Sequence, residues 1–289
     1  MRINTFLYGF VNDLYSCGCV LSLGVFLSSC ASRTPSYDVG QKFVLALSAE
    51  KGRVEQTDWY SGIARKQIED QISRNEIESV NFRTEVKTLS VEGDGKFAQV
   101  LRVVSKEGDT DLHELAFPEV GETLDLIITP SGQILKAGAY PKDSIFYVPQ
   151  VPLPTKPVAV GDTWSLDSSW VSENGMRMEF HLITILKRVV DCGLKPCLDL
   201  EISGNVTIPA LGKDIQLKND VWGRLLFSHG LGAVVWSEVR SRLTLNEKGS
   251  AVSEESCLQS VMRTPLFDKI SAQTPLCQVP SDGPIVVPL

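Results

Sequence analysis

The stretch TEVKTLSVEGDGKFAQVLRVVS, residues 84–105, decides the fold that the sequence predicts. Hydrophobic side chains recur among polar ones on both sides of EGDGK (residues 92–96), for example at Val86, Val100 and Val103. Alternation of this kind is typical of a half-buried strand, and a glycine-rich segment between two such runs is typical of a hairpin turn. The stretch therefore predicts two antiparallel strands joined by a tight turn.

A second hairpin is predicted further along the chain. LDLII (residues 124–128) and QILK (residues 133–136) flank TPSG (residues 129–132), which has the proline and glycine of a turn. Residues 140–158 then form an extended connector, because proline fixes φ and donates no hydrogen bond to a ladder. Its prolines are Pro141, Pro149, Pro152, Pro154 and Pro157.

The same order of features returns after the connector. VGDTW at residues 160–164 matches VGQKF at residues 39–43, and a turn at residues 192–197 matches the EGDGK turn. The turn SHGLG at residues 228–232 matches TPSG. The sequence therefore predicts a mainly β fold, with antiparallel sheets from two similar halves arranged as an open barrel or a sandwich. The halves are residues 39–139 and 159–249, and residues 250–289, with five prolines, are predicted to form an irregular C-terminal tail.

One segment of the first half departs from alternation. Between residues 58 and 80 the large apolar residues follow one another at intervals of four or five, which is closer to helical spacing, and Asp58 is a suitable cap. These residues are Trp59, Ile63, Ile68, Ile72 and Ile77. We predict an amphipathic helix near residues 58–80, inserted into the first half.

The chain starts with features of an export signal. An apolar run at residues 14–27 follows a short polar start and precedes the small residues Ser28 and Ser29. This length is typical of a secretory signal and is shorter than the roughly 20 apolar residues that a transmembrane helix needs. An ordinary signal peptide that is cleaved elsewhere is one interpretation.

LSSC, residues 27–30, resembles the lipobox of bacterial lipoproteins. The resemblance implies a signal peptide at residues 1–29, a diacylglyceryl group on Cys30, an acylated (palmitate-type) amine and a tether at residues 30–38. Two or three chains would anchor the protein stably, since one chain binds only marginally. Ala31 is not the aspartate that retains such proteins at the inner membrane, so the resemblance implies the outer membrane, with the body in the periplasm.

Four cysteines remain after the signal and the lipidated cysteine, and an even number in an exported chain suggests disulfides. Cys192 and Cys197 flank a Gly/Pro turn, where their Cα atoms could approach within the roughly 4.4–6.8 Å that a disulfide needs. Cys257 and Cys277 then pair by elimination. The competing interpretation, a site with four thiolates, lacks the paired knuckles of zinc sites, so we predict no metal and no cofactor.

The sequence offers little support for catalysis. The formal net charge of −7 disfavours nucleic acid as a partner and disfavours electrostatic adsorption to anionic lipid. No metalloprotease helix, nucleophile elbow or phosphate loop is present. The histidines are His113, beside Asp111 on a predicted strand, His181 on a strand and His229 in a turn. We expect a protein that is not an enzyme.

Two β-rich halves joined by a proline-rich crossing, over residues 39–247, are similar to several families of uncharacterised bacterial envelope lipoproteins. They are also similar to the open-barrel lipoprotein carriers that shelter acyl chains. The first resemblance implies a lipid-anchored interaction body that binds another envelope protein or a cell-wall polymer. The second implies a body that binds a lipid or another hydrophobic ligand. The five tryptophans indicate either packing in the core and at the sheet edges or an apolar groove in the sheet with the predicted helix as its lid. They are Trp59, Trp164, Trp170, Trp222 and Trp236. A periplasmic hydrolase is a third hypothesis.

Overall fold

A computed structural model describes residues 40–69, 72–172, 175–192, 196–207, 216–247, 250–264, 275–280 and 283–288. Eleven strands lie within these ranges, and two short 3-10 turns, Leu112–Leu115 and Ile145–Tyr147, lie between them. The strands are β1 (Val54–Glu69), β2 (Ile72–Val91), β3 (Phe97–Glu107), β4 (Thr123–Ile128), β5 (Ile134–Ala137), β6 (Thr163–Val171), β7 (Arg177–Asp191), β8 (Pro196–Thr207), β9 (Gln216–Ser228), β10 (Ala233–Glu247) and β11 (Ser250–Met262).

All eleven strands belong to one open antiparallel sheet, in the order β5-β4-β3-β2-β1-β11-β10-β9-β8-β7-β6. Neighbours in the sheet are neighbours in the sequence except at the centre, where β1 pairs with β11. The edges are therefore β5 and β6, which the connector joins. The predicted mainly β, antiparallel class is confirmed, and the sandwich alternative is wrong because the strands form a single sheet.

The sheet is strongly curved. The amide of Leu47 donates to the Pro130 carbonyl at 2.7 Å, and the amide of Ser48 donates to the Gly232 carbonyl at 3.0 Å. These carbonyls lie in the β4–β5 and β9–β10 turns, although β4 and β10 are five strand positions apart. In a flat sheet, strands five positions apart would be about 24 Å apart. The two donors, Leu47 and Ser48, are consecutive residues with Cα atoms about 3.8 Å apart, so the sheet must bend to bring the two turns together. We call this end of the sheet the closed end and its concave face the inner face.

A glycine is required where the Ser48 segment meets the β9–β10 turn. Gly232 has a φ of 60°, and a Cβ atom there would lie 2.3 Å from the Ser48 hydroxyl and 2.7 Å from its backbone nitrogen. The hydroxyl of Ser48 also donates to the Leu231 carbonyl at 2.9 Å. The close approach that holds the closed end together therefore depends on a residue without a side chain.

Loops cover the inner face with two hydrophobic clusters. Over β1 to β5, side chains of the β3–β4 loop and of the connector, such as Leu112, Phe117 and Phe146, pack against strand residues such as Val80 and Leu101. Over β7 to β10, a second cluster joins strand residues to the segment around Phe43 and to the end of the connector. Its buried members are Phe43, Leu45, Val158, Leu186, Leu198, Leu200, Ile202, Leu225 and Phe227.

The C-terminal segment packs on the opposite, outer face. Ile285 and Val287 contact a cluster that includes the fully buried Trp236. Both predicted disulfides are confirmed on the same face: Cys192–Cys197 closes the β7–β8 turn, and Cys257–Cys277 ties the C-terminal segment to β11.

The EGDGK turn between β2 and β3 is confirmed. The amide of Glu92 donates to the Lys96 carbonyl at 2.7 Å, and Gly95 has a positive φ of 85°. A register shift between Thr88 and Ser90 interrupts the β2–β3 pairing, so the alternation of β2 changes phase there.

The predicted helix at residues 58–80 is wrong. These residues belong to β1 and β2, which pair continuously from Val54 opposite Lys87 to Glu69 opposite Ile72. The intervals of four and five combine side chains from two faces, since Trp59 faces inward while Ile77 is 71% exposed on the outer face. Both faces of this hairpin are largely exposed near its tip, so burial imposes no strict alternation there.

The predicted boundary at residue 250 is also wrong. Ser250–Met262 is β11, which completes the centre of the sheet between β1 and β10, rather than part of an irregular tail. The match between residues 39–43 and 160–164 fails as well, because Phe43 forms only an isolated bridge to Val158 whereas β6 begins at Thr163. The described residues of 275–288 contain no strand.

Candidate functional site

A pocket of about 350 Å³ lies on the inner face, between the two hydrophobic clusters. Strands β1 to β5 and β9 to β11 form its floor and walls, with mainly apolar side chains. These include Trp59, Val86, Phe97, Leu101, Leu126, Ile128, Ile134, Leu225, Val239, Leu258 and Met262. This volume and composition are typical of sites for small apolar ligands, which span roughly 300–1,000 Å³.

Loops, rather than a helix, partly cover the pocket. Leu115 ends the first 3-10 turn, and Ala116 and Phe117 follow it. Connector residues lie across another side: Ile145, Val148, Gln150 and Val151. Leu47 and Ser48 complete the wall at the closed end. The groove that the sequence predicted is present, but its predicted helical lid is replaced by these irregular segments.

Small polar residues at the centre of the sheet leave the space that the pocket occupies. Ser237 of β10 lies opposite Ser260 of β11, and their hydroxyls form a hydrogen bond of 2.6 Å. Thr57 of β1, another small polar residue of the wall, lies one inward-facing position away, opposite Met262, while Trp59 is the β1 residue opposite Ser260. The bond between Ser237 and Ser260 gives each hydroxyl oxygen a partner, so the inner face can carry short side chains here without leaving either oxygen unpaired.

Two further polar residues of the wall bond to neighbours within the sheet. The Trp59 indole donates to the Thr84 hydroxyl at 2.9 Å, while the Trp59 ring stacks on Phe82 with centroids 5.9 Å apart. The Gln99 amide nitrogen donates to the Thr88 hydroxyl at 3.2 Å. These bonds fix the side chains that shape the pocket.

Glu55 is the charged residue of the pocket wall, and it lies on β1 near the closed end. Its side chain is 19% exposed and accepts a hydrogen bond from the Arg53 guanidinium. Burial raises the pKa of the Glu55 carboxyl above its ordinary value, although the charge of Arg53 opposes that shift. No pattern in the sequence indicates this residue, because only the curvature of the sheet places it beside an apolar cavity.

Most of the residues that the sequence singled out lie outside the pocket wall. Cys30 is outside the described residues, and the four disulfide cysteines do not line the pocket. Trp59 alone of the five tryptophans is in the wall. Trp164 donates to the Pro152 carbonyl at 2.7 Å, which fixes the connector, and Trp222 lies under the Arg242 guanidinium.

The histidines do not form a common site. His113 lies in a 3-10 turn, so its predicted position on a strand with Asp111 is wrong, and Asp111 instead caps that turn. The Nε2 atom of His113 lies 2.9 Å from the Glu122 carboxylate, and this contact lowers the pKa of the Glu122 carboxyl. His181 pairs with Asp167 on an exposed strand surface, and His229 contacts the ring of Phe43 in its turn.

Within the described part of the chain, no three His, Cys, Asp or Glu side chains are placed to hold a metal ion. The same residues contain no helix of the length and apolar character needed to cross a bilayer. Comparison with models of known protein families and with curated proteins found no match.

Proposed function

We propose that this protein is a lipid-anchored lipoprotein of the bacterial cell envelope whose body binds a hydrophobic or amphipathic small molecule. The single observation that carries the binding proposal is the half-covered apolar pocket on the inner face. Its walls are mainly aromatic and aliphatic, and several of its polar side chains are hydrogen-bonded within the protein. Such a cavity favours ligands that lose apolar surface to it, at about 25 cal/mol for each Å² buried.

The anchor is proposed from the lipobox at residues 27–30. We expect Cys30→Ser to abolish lipid labelling and signal cleavage at this site, because a hydroxyl cannot form the thioether that processing needs. Cys19→Ser, in the same apolar leader, is the matched control and should be processed normally. Metabolic labelling with palmitate and fractionation of membranes measure both variants. Unchanged processing and membrane association of Cys30→Ser would disprove the anchor.

Filling the pocket tests ligand binding directly. Val86→Trp adds a large ring to the pocket wall beside Glu55, since Val86 lies opposite Glu55 on β2. We expect the affinity for the fluorescent apolar probe 1-N-phenylnaphthylamine to fall by at least about tenfold, which corresponds to about 1.4 kcal/mol. Fluorescence titration of the soluble body measures this change.

The control for that experiment is the same substitution on β3. Val104→Trp places the ring at a position that is 38% exposed and outside the pocket wall. This variant should bind the probe as the native protein does. Equal binding by Val86→Trp and native protein would exclude the pocket as the binding site. Native mass spectrometry of the purified body provides an independent test, because a bound natural lipid would appear as added mass.

An internal duplication is part of the proposal. The amide of Gly52 donates to the Thr88 carbonyl of β2, and the amide of Gly161 donates to the Leu186 carbonyl of β7. In both strands, the pairing register shifts immediately after the residue that accepts this bond, after Thr88 in β2 and after Leu186 in β7. Two similar junctions at equivalent places of the meander support a common origin for the two halves.

The second candidate is a body that docks another envelope protein. This candidate is favoured by a group of partly buried apolar side chains on the inner face of β6 to β10, in the part of the face that the loops do not cover. These are Trp170, Met178, Leu182, Val221 and Leu243. Native mass spectrometry separates the candidates, since co-purifying protein rather than lipid would favour docking.

A further inference from the structure

The charge in the pocket wall indicates which kind of ligand fits, if the proposed binding function holds. Among the described residues that line the pocket, Glu55 is the ionisable one. It projects from β1 on the same face as Thr57 and Trp59, so its carboxyl is part of the wall at the start of β1, near the closed end. A ligand with a polar head and an apolar tail would place its head there and its tail along the sheet.

The charged hydrogen-bonding group at this end of the pocket is an acceptor, the Glu55 carboxylate. Arg53 occupies the Oε1 atom of Glu55, and no described residue donates to its Oε2 atom. Gln99, two strands away, also lines the pocket; its amide nitrogen donates to Thr88, and no described residue donates to its side-chain carbonyl oxygen. A head group that donates hydrogen bonds can satisfy these oxygens, whereas a carboxylate head cannot.

Charge adds to this discrimination. An anionic head beside Glu55 would face a like charge in a poorly solvated place, where repulsion is stronger than in water. The charge of Arg53 lessens this penalty without removing it, because the Glu55 carboxylate lines the pocket whereas the Arg53 guanidinium does not. An ammonium or hydroxyl head would instead receive a hydrogen bond to a carboxylate, which is stronger than a bond between neutral groups.

We infer that the pocket selects amphiphiles whose head group donates a hydrogen bond, a hydroxyl or an ammonium, over the anions of free fatty acids. Glu55 is the residue that sets this preference. The inference rests on the proposed function but is separable from it, because an apolar pocket without this preference would still bind hydrophobic molecules.

The test compares three twelve-carbon chains that differ only in their heads. 1-Dodecanol, dodecylammonium and dodecanoate each displace 1-N-phenylnaphthylamine from the native soluble body, below their aggregation concentrations and at a pH where dodecanoate is ionised. We expect dodecanoate to be at least about tenfold weaker than the better of the other two. Glu55→Gln should reduce that ratio to about threefold or less, because the amide can also donate to a carboxylate.

Glu85→Gln is the matched control, since Glu85 lies on the neighbouring strand and bonds to Gln56 and Arg102 without lining the pocket. It should keep the native ratio. Equal displacement by all three chains from the native protein would overturn the inference and leave the proposed function intact. Absence of any probe binding would instead overturn the proposed function. The native comparison needs no variant, so a folding defect of Glu55→Gln would not obscure the result.

Discussion

Asp199→Ala is expected to destabilise the protein by about 3 kcal/mol, as is typical when one partner of a buried ion pair is removed. Asp199 of β8 has no exposed side-chain surface and bonds two arginines, Arg188 of β7 and Arg224 of β9. Arg224 is itself only 19% exposed and gives two of its nitrogens to this carboxylate. Urea unfolding with the disulfides intact measures the change as a lower midpoint at unchanged slope.

The reason for the large effect is that one carboxylate joins three strands on the outer face. Removing it leaves the Arg224 guanidinium partly buried without its bidentate acceptor, and the desolvation of that charge is no longer compensated. Arg188 loses less, because 55% of its side chain is exposed and water can replace the bond.

Glu201→Ala is the matched control for this prediction. Glu201 is two residues further along the same face of β8, is 42% exposed and contacts Arg224 and Lys187 at 3.5 Å. Exposed ion pairs contribute about 0–1 kcal/mol, so its loss should be small. A similar loss of stability for both variants would show that burial does not set the strength of the Asp199 interactions.

The sequence predicted the class of this fold because most of its strands have one buried face. The β2–β3 hairpin was readable from its turn, where a glycine takes the positive φ that the loop needs. The helix prediction failed for the opposite reason: the β1–β2 hairpin projects beyond the loops, so residues such as Ile68 and Ile77 are exposed and no alternation is imposed. The pairing of β1 with β11 joins distant parts of the chain, and no local pattern encodes it.

The candidate site was only partly predictable. An apolar groove with a tryptophan in its wall was expected, and Trp59 has that position. Glu55 was not expected, because a glutamate in an alternating strand is usually solvated, and here only the curvature of the sheet places it against a cavity. The serines opposite each other in β10 and β11 are a signal that could have been used, since they interrupt the apolar face where a cavity forms.

Phe117→Ala is expected to have the second large effect, a loss of about 3–5 kcal/mol, which is typical of removing a buried aromatic ring. Phe117 is 2% exposed, and its ring contacts Trp59 and Phe82 with centroids 4.7 and 4.9 Å away. Aromatic pairs of this kind add about 0.5–1.5 kcal/mol to the burial of their surface. Chemical unfolding measures the loss.

Phe117 also lines the pocket, so its removal has a second consequence that distinguishes it from an ordinary core residue. The vacated volume joins the pocket, and a wider ligand can bury more surface. We expect the affinity of a polycyclic alcohol relative to 1-dodecanol to rise about tenfold, the gain for roughly 60 Å² of additional buried apolar area. Saturating polycyclic alcohol should also restore part of the lost stability, because it binds only the folded state.

Phe146→Ala separates the two consequences. Phe146 is 6% exposed and stacks on Tyr140 at 3.7 Å, in the same hydrophobic cluster, but it does not line the pocket. It should lose a comparable amount of stability with no change in the preference between the two alcohols. If both variants changed the preference equally, the cause would be general loosening of the loops that cover β1 to β5, and the wall position of Phe117 would have no special role. If only Phe117→Ala changed it, the ring of Phe117 sets the width of the ligand that the pocket accepts.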